Sequence, residues 1–250
     1  MSKNTEMRPE IPPTLLVNGD SISILDGFIN SGIKADLIIT DPPYKMTSRG
    51  NPGGTGGMLK KNIVMSGQVF QHNYLEIDDW IGKLYEVLQE SGHCYIMTND
   101  KNLKDYLVSI ENAGFNVFKT LIWDKVTPIV NMYYMNVHEY IIFCRKGRAK
   151  KINNCGTKSI LQIPNNKLKD DEGNNLHDTE KPVGLMRILI ENSSRERDLV
   201  LDPFMGIGST GVAAIQTNRR FIGIEQSIDY CFIAKNRMNS PSSLNLFKWR

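Results

Sequence analysis

The stretch "ADLIITDPPYKM", residues 35–46, runs an apolar segment into Asp41, two prolines and Tyr44. These residue types in this order suit the recognition of an aromatic amine. Parallel α/β sheets bind ligands at the carboxyl ends of their strands, so a carboxylate directly after a strand belongs at that edge. Pro42 and Pro43 lack backbone N–H groups and restrict φ, which leaves carbonyl oxygens as acceptors at set positions. Asp41 and the Pro42 carbonyl then form a pair of acceptors matched to an exocyclic –NH2, and Tyr44 offers a face on which a base can stack. A hydroxyl or a phosphate would not fit that pair. The amines of adenine and cytosine are out of reach inside a duplex, so such a nucleotide must be turned out of the stack. Taken alone, the four residues also read as a plain Pro-rich turn.

A second constellation lies far downstream. "LVLDPFMGIGSTG" holds a strand, then Gly206, Gly208 and Gly211 in G-x-G-x-x-G spacing, then a helix start. Such glycines permit a tight turn and let backbone N–H groups approach a ligand. Glu225 ends the next strand, "FIGIE", near the offset at which a carboxylate grips ribose hydroxyls. By itself this is a dinucleotide fingerprint, and a nicotinamide-dependent dehydrogenase is one hypothesis. Two features count against it. Only 25 residues follow Glu225, too few for a second nucleotide-binding half. Asp202 and Phe204 also precede the glycines, and a carboxylate repels a pyrophosphate but attracts an ammonium. S-adenosylmethionine, with its adenosine, sulfonium and amino-acid tail, fits better. Asp20 in "LLVNGDS" could accept from an adenine amino group or cap the following helix. Thr179 and Lys181 in "HDTEKP" precede another helix; Lys181 could pair with a carboxylate or be a solvated helix-start lysine. Phe204 could lie on the adenine or pack in the core.

The elements that must position these residues follow from the apolar patterning. Short apolar strands alternate with helical patterns, which predicts an α/β fold with a mostly parallel sheet. Strands are expected at Thr14–Asn18, Ala35–Thr40, His93–Thr98, Phe115–Trp123, His138–Arg145, Leu199–Leu201 and Arg220–Glu225. Helices are expected at Ser21–Ser31, Asp78–Glu90, Lys101–Ala113, Pro182–Ser193, Ser209–Gln216 and Ser227–Arg237, with Asp78 as an N-cap and Pro182 at a first helical position. With no helix between them, Phe115–Trp123 and His138–Arg145 should pair antiparallel. The segments 45–73 and 146–178 break the alternation, and loops that long usually bind something.

A chain of 250 residues with ordinary apolar and charged fractions suits one domain with a sizeable core. No stretch has the length of apolar residues that a membrane span needs, and "MSKNTEMRPE" has no apolar signal core. The four cysteines, Cys94, Cys144, Cys155 and Cys231, are scattered without metal-ligand spacing. That argues against a zinc site or a disulfide framework and fits a reducing cytoplasm. From Arg145 to Lys169 eight Lys and Arg occur without an acid, which reads as a phosphate-facing surface or as a solvated loop.

With these motifs in hand, the chain resembles the amino-group DNA methyltransferases, in the circularly permuted class whose catalytic motif precedes the cofactor motif. "DPPY" is similar to the catalytic motif, "NVHEYIIFCRK" to the late strand motif, and "HDTEKP" to the element before the cofactor domain. "LDPFMGIGSTG" and "FIGIE" are similar to the cofactor loop and the ribose carboxylate; Ile207 stands where the family has a small residue. The resemblance implies a Rossmann-like fold with a seven-stranded, mostly parallel sheet and one antiparallel strand, in a single catalytic domain over 1–250. It implies that Asp41 and the Pro42 carbonyl hold the target amino group while Tyr44 stacks on the flipped base. Asp202, the glycine loop, Ser209, Thr210 and Lys181 would hold the methionine moiety, and Glu225 and Asp20 the adenosine. Asp at the first motif position implies adenine N6; cytosine N4 is the alternative within the family, and a catalytically idle DNA-binding subunit is a further one. The segment 45–73, with Arg49, Lys60 and Lys61, would be a mobile loop closing over DNA. The segment 146–178 would be a small target-recognition insertion, with Arg145, Lys146, Arg148, Lys150, Lys151 and Lys158 facing double-stranded DNA. A homodimer and a cognate restriction endonuclease are further partners that the resemblance allows.

Overall fold

The structure, a computed structural model, describes residues 12–43, 75–130, 132–166 and 180–240. Along the chain these form β1 (Thr14–Asn18), α1 (Ser21–Asn30), β2 (Ala35–Thr40), α2 (Ile77–Val87), β3 (Leu88–Thr98), α3 (Leu103–Asn112), β4 (Asn116–Ile129) and β5 (Asn136–Arg145). They continue as β6 (Ile160–Gln162), α4 (Val183–Ser193), β7 (Leu199–Asp202), α5 (Ser209–Gln216), β8 (Arg220–Glu225) and α6 (Ile228–Asn239). The strands build one eight-stranded sheet in the order β1-β8-β7-β2-β3-β5-β4-β6. β5 runs antiparallel to both of its neighbours, and every other pairing is parallel.

Alternation along the central strands explains why both faces are covered. In β2, Leu37 and Ile39 enter one apolar cluster with Leu185, Leu189 and Ile190 of α4, Val212 and Ala213 of α5 and Met238 of α6. Ala35 and Ile38 enter the opposite cluster with Leu25 of α1, Trp80, Ile81 and Leu84 of α2, and Tyr106 and Ile110 of α3. Such strands must be apolar on both sides, which is why they read as unbroken hydrophobic runs in the sequence.

Several expectations change in detail. The sheet has eight strands rather than seven, because Ile160–Gln162 adds to β4 at the far edge, with Trp123 opposite Leu161. α2 stops at Val87, and β3 starts at Leu88 rather than His93, since the left-handed backbone at Ser91, with φ of 62°, keeps the strand in the sheet across a register shift. Glu76, not Asp78, is the N-cap of α2; Asp78 and Asp79 lie in its first turn, where carboxylates favour the positive helix end. Pro182 sits at the N-cap of α4, one position before the expected one.

Candidate active site

The strand order brings the two sequence motifs together. β7, which leads into the glycine loop, pairs with β2, which leads into Asp41, so residues about 160 positions apart in the chain share one sheet edge. At that edge, Asp41 accepts a hydrogen bond from Lys181 Nζ on Oδ2. Its Oδ1 is buried and has no hydrogen-bond partner among the described residues. A buried carboxylate oxygen left unpaired is costly, and such a group waits for a donor. Burial pushes the Asp41 carboxyl up, while the Lys181 ammonium pulls it down and Glu139 opposes that pull. Tyr44 lies outside the described residues, as do Thr179, Arg49, Lys60 and Lys61.

The glycine loop is built by its backbone. Gly206 and Gly208 have φ of 52° and 82°, values that L side chains rarely adopt. Gly211 lies where a Cβ would come within 2.7 Å of the Phe221 ring, so its role is close packing of α5 on the sheet. Asp202, at the end of β7, accepts from Thr210 Oγ1 at 2.6 Å on Oδ2 and from the Phe204 N–H at 3.1 Å on Oδ1. Burial pushes its carboxyl up to about 7. Glu225, at the end of β8, accepts from the Gly206 N–H at 3.0 Å and the Ser227 N–H at 2.8 Å, one on each oxygen. Ser209 is the first residue of α5 and is buried. Two carboxylates thus flank a loop in which Gly206 and Gly208 carry no side chain, and the buried one gains from any cation that approaches it. That donor set fits a ligand carrying a cationic amino-acid tail and vicinal hydroxyls.

Other expected residues have their own partners in the structure. Asp20 caps α1, accepting from the Ser23 N–H at 2.9 Å and hydroxyl at 2.7 Å, and those bonds hold its carboxyl below the usual range. Phe204 packs edge-on to Trp80, ring centroids 5.4 Å apart. Lys181, expected to pair with a carboxylate and to help hold the methionine moiety, has its ammonium between Asp41 and Glu139 and its side chain buried.

The basic run, expected to face DNA, begins at the end of β5. In β5, Tyr140 pairs with Thr98 at the edge that carries Asp41, whereas Arg145 pairs with His93 at the other end of β3. Arg145 and the residues after it therefore start at the opposite edge of the sheet. Arg145 donates to the Gly147 carbonyl. Lys146 donates to the Tyr85 carbonyl at 2.6 Å and lies over the Tyr85 ring at 4.3 Å. The Arg148 N–H is held by Glu90, the Lys150 carbonyl faces His93 Nε2 at 3.0 Å, and Lys151 and Lys158 are exposed. In the described part of 146–178, Asn153 bonds the carbonyls of Glu191 and Ser194 at the α4 end, and β6 joins the sheet.

Sequence reasoning passed over four residues that the structure brings to the site. Glu139 and Lys125 continue the contacts of Lys181, and Arg237 donates to the Ile207 carbonyl at 2.7 Å and to Glu180 at 2.8 Å, strapping the glycine loop to the segment before α4. The one available signal was Glu139, a carboxylate in the otherwise apolar "EYIIFC".

Comparison with known proteins gives a consistent result. The family model described as "DNA methylase" matches residues 35–236. The Type II methyltransferase M.HinfI of Haemophilus influenzae is 29% identical over 92% of this chain and 71% of its own length. The Type II methyltransferase M2.DpnII of Streptococcus pneumoniae is 29% identical over 92% of this chain and 91% of its own. The crystal structure of the M1.HpyAVI–SAM complex is 26% identical, with a TM-score of 0.67, and covers 90% of this chain and 99% of that one. The cytosine-N4-specific PvuII DNA methyltransferase, 18% identical with a TM-score of 0.69 over 94% of this chain and 91% of that one, shows the shared fold. The chain belongs to the DNA methylase family.

Proposed function

We propose that this chain transfers the methyl group of S-adenosylmethionine to the N6 amino group of an adenine flipped out of double-stranded DNA, within a specific sequence. The observation that carries this reading is Asp41 Oδ1: a buried acceptor without a partner among the described residues, at the end of the strand next to the one that leads into the cofactor loop. When bound, the cofactor supplies an electrophilic methyl carbon on a sulfonium. Asp202 would hold its ammonium, Glu225 its ribose hydroxyls, and the Gly206–Gly208 backbone would let it lie close; Ser209, Thr210 and Asp20 complete that side. Asp41 Oδ1 and the Pro42 carbonyl would accept the two amino hydrogens, with Pro43 fixing the turn and Tyr44 stacking on the base. The amino nitrogen would attack that methyl carbon in line while the bonding pair stays on sulfur, and Asp41 would take the proton released from nitrogen and pass it to water. Catalysis on this account is the positioning of an in-line attack in a site of complementary charge.

Asp rather than Ser at position 41 favours adenine over cytosine N4. Residues 1–250 act as one catalytic domain, with 45–73 contacting DNA through Arg49, Lys60 and Lys61. Among the described residues no helix is long and apolar enough to cross a membrane. A cytoplasmic enzyme that works as a homodimer beside a cognate restriction endonuclease completes the reading. The test is transfer of a labelled methyl group from S-adenosylmethionine to unmethylated plasmid DNA. Label in DNA supports the proposal; cofactor binding without label in any DNA, with wild-type protein in excess, contradicts it.

A further inference from the structure

Four side chains of alternating charge form a line that ends at the amino-group acceptor. Lys125 Nζ donates to Glu139 Oε1 at 2.5 Å, Glu139 Oε2 lies 3.5 Å from Lys181 Nζ, and Lys181 donates to Asp41 Oδ2. They come from β4, β5, the segment before α4 and the end of β2, so no local geometry explains their meeting. The Lys125 and Glu139 side chains are each 15% exposed and that of Lys181 is 7% exposed. Ion pairs so poorly hydrated are weak devices for stability, because desolvation offsets much of their attraction. Their arrangement therefore calls for another role. The line holds two ammoniums and two carboxylates, and its carboxylate end carries Oδ1, unpaired among the described residues.

We infer that Glu139, steadied by Lys125, is a positioning residue for methyl transfer: it shares the Lys181 ammonium, so that Asp41 is gripped by one oxygen without losing its negative character, and Oδ1 stays aimed at the target amino group. The inference rests on the function proposed above and deepens it. As the N–C bond forms, positive charge gathers on the amino nitrogen beside Asp41, and a site of balanced charge with its negative end there favours that change. Lys181 alone would cancel Asp41. Glu139 offsets Lys181, and Lys181 and Lys125 together keep Glu139 ionised against its burial. The charged groups that face Asp41 are Lys181, Glu139 and Lys125, with Asp202 on the neighbouring strand.

Single-turnover methylation of unmethylated plasmid DNA, followed as a function of pH, tests this with the full chain. Glu139→Gln is expected to slow transfer on the order of 10- to 100-fold with KM for both substrates nearly unchanged. It should also move the acidic limb of the rate profile to lower pH, since Glu139 raises the Asp41 carboxyl. Lys125→Met should move the same limb to higher pH, since Lys125 lowers it. Glu139→Asp, which keeps the charge, should restore the wild-type limb. Opposite shifts from two residues that touch neither substrate are not produced by loss of packing. Limbs that stay in place, or move in the same direction, overturn the inference while wild-type activity keeps the proposed function standing. A wild-type chain that methylates no DNA removes the function itself. If Glu139→Gln does not fold, Lys125→Met and Glu139→Asp still decide the matter.

Discussion

Replacing Asp202 by Asn should make the protein more stable at alkaline pH and worse at binding its cofactor. Asp202 is 3% exposed, and burial lifts its carboxyl from 3.8 to about 7 despite the hydrogen bonds from Thr210 and Phe204. The fold thus favours the neutral carboxyl. That contribution is complete below the unfolded value of 3.8 and is lost as pH rises through about 7. About three pH units at 1.36 kcal/mol each correspond to about 4 kcal/mol withheld from stability at about pH 8. Asn cannot ionise, but it has one acceptor where the carboxylate has two, so Thr210 or the Phe204 N–H loses its partner at a cost of about 1 kcal/mol. The variant should therefore be about 3 kcal/mol more stable than wild type at about pH 8 and about 1 kcal/mol less stable near pH 4, with a crossover between. Urea unfolding at both pH values, followed by tryptophan fluorescence, measures this. A stability difference of the same sign and size at both would refute the reasoning. Cofactor affinity should fall on the order of 30- to 100-fold, the usual worth of a hydrogen bond to a charged group.

Other substitutions probe separate parts of the site. Gly208→Ala places a methyl 2.9 Å from Ala234 Cβ at a φ of 82°, and should cost about 2–4 kcal/mol in urea unfolding. Arg237→Ala frees the Ile207 carbonyl and leaves Glu180 without its 2.8 Å partner; cofactor affinity by calorimetry should drop about 10-fold with the fold retained. Lys181→Met removes the ammonium that opposes burial at Asp41, so the acidic limb of methylation should move to higher pH and kcat should fall about 100-fold or more. Lys60→Gln with Lys61→Gln should reduce the salt slope of DNA binding by about two, whereas Arg148→Gln with Lys150→Gln, at the far edge, should leave it unchanged.

The parts of the fold that were legible were those that one rule decides. β2, β7 and β8 are buried on both faces, so their apolar runs and carboxyl-terminal acids could be read directly, and the antiparallel pairing of β4 with β5 followed from the missing helix. β6 was not legible, because three residues within an Asn- and Lys-rich stretch carry no period, and their strand state comes from the edge of β4. Asp41, Asp202 and Glu225 were found because each ends a strand. Glu139 begins one side of a hairpin, and its meeting with Lys181 depends on β5 lying next to β3, which no local pattern encodes. The position of the basic run was hidden for a similar reason. Its charge is visible in the sequence, but the edge on which it lies is set by the direction of β5.

The central claim is that Asp41 and its neighbours hold the amino group of a flipped adenine for methyl transfer. Base-resolved analysis of unmethylated plasmid DNA after treatment with wild type and Asp41→Ala tests it most directly. The account predicts N6-methyladenine in one recurring sequence context with wild type and none with the variant. Methyl groups found only on cytosine, or undiminished N6-methyladenine from Asp41→Ala, would contradict it.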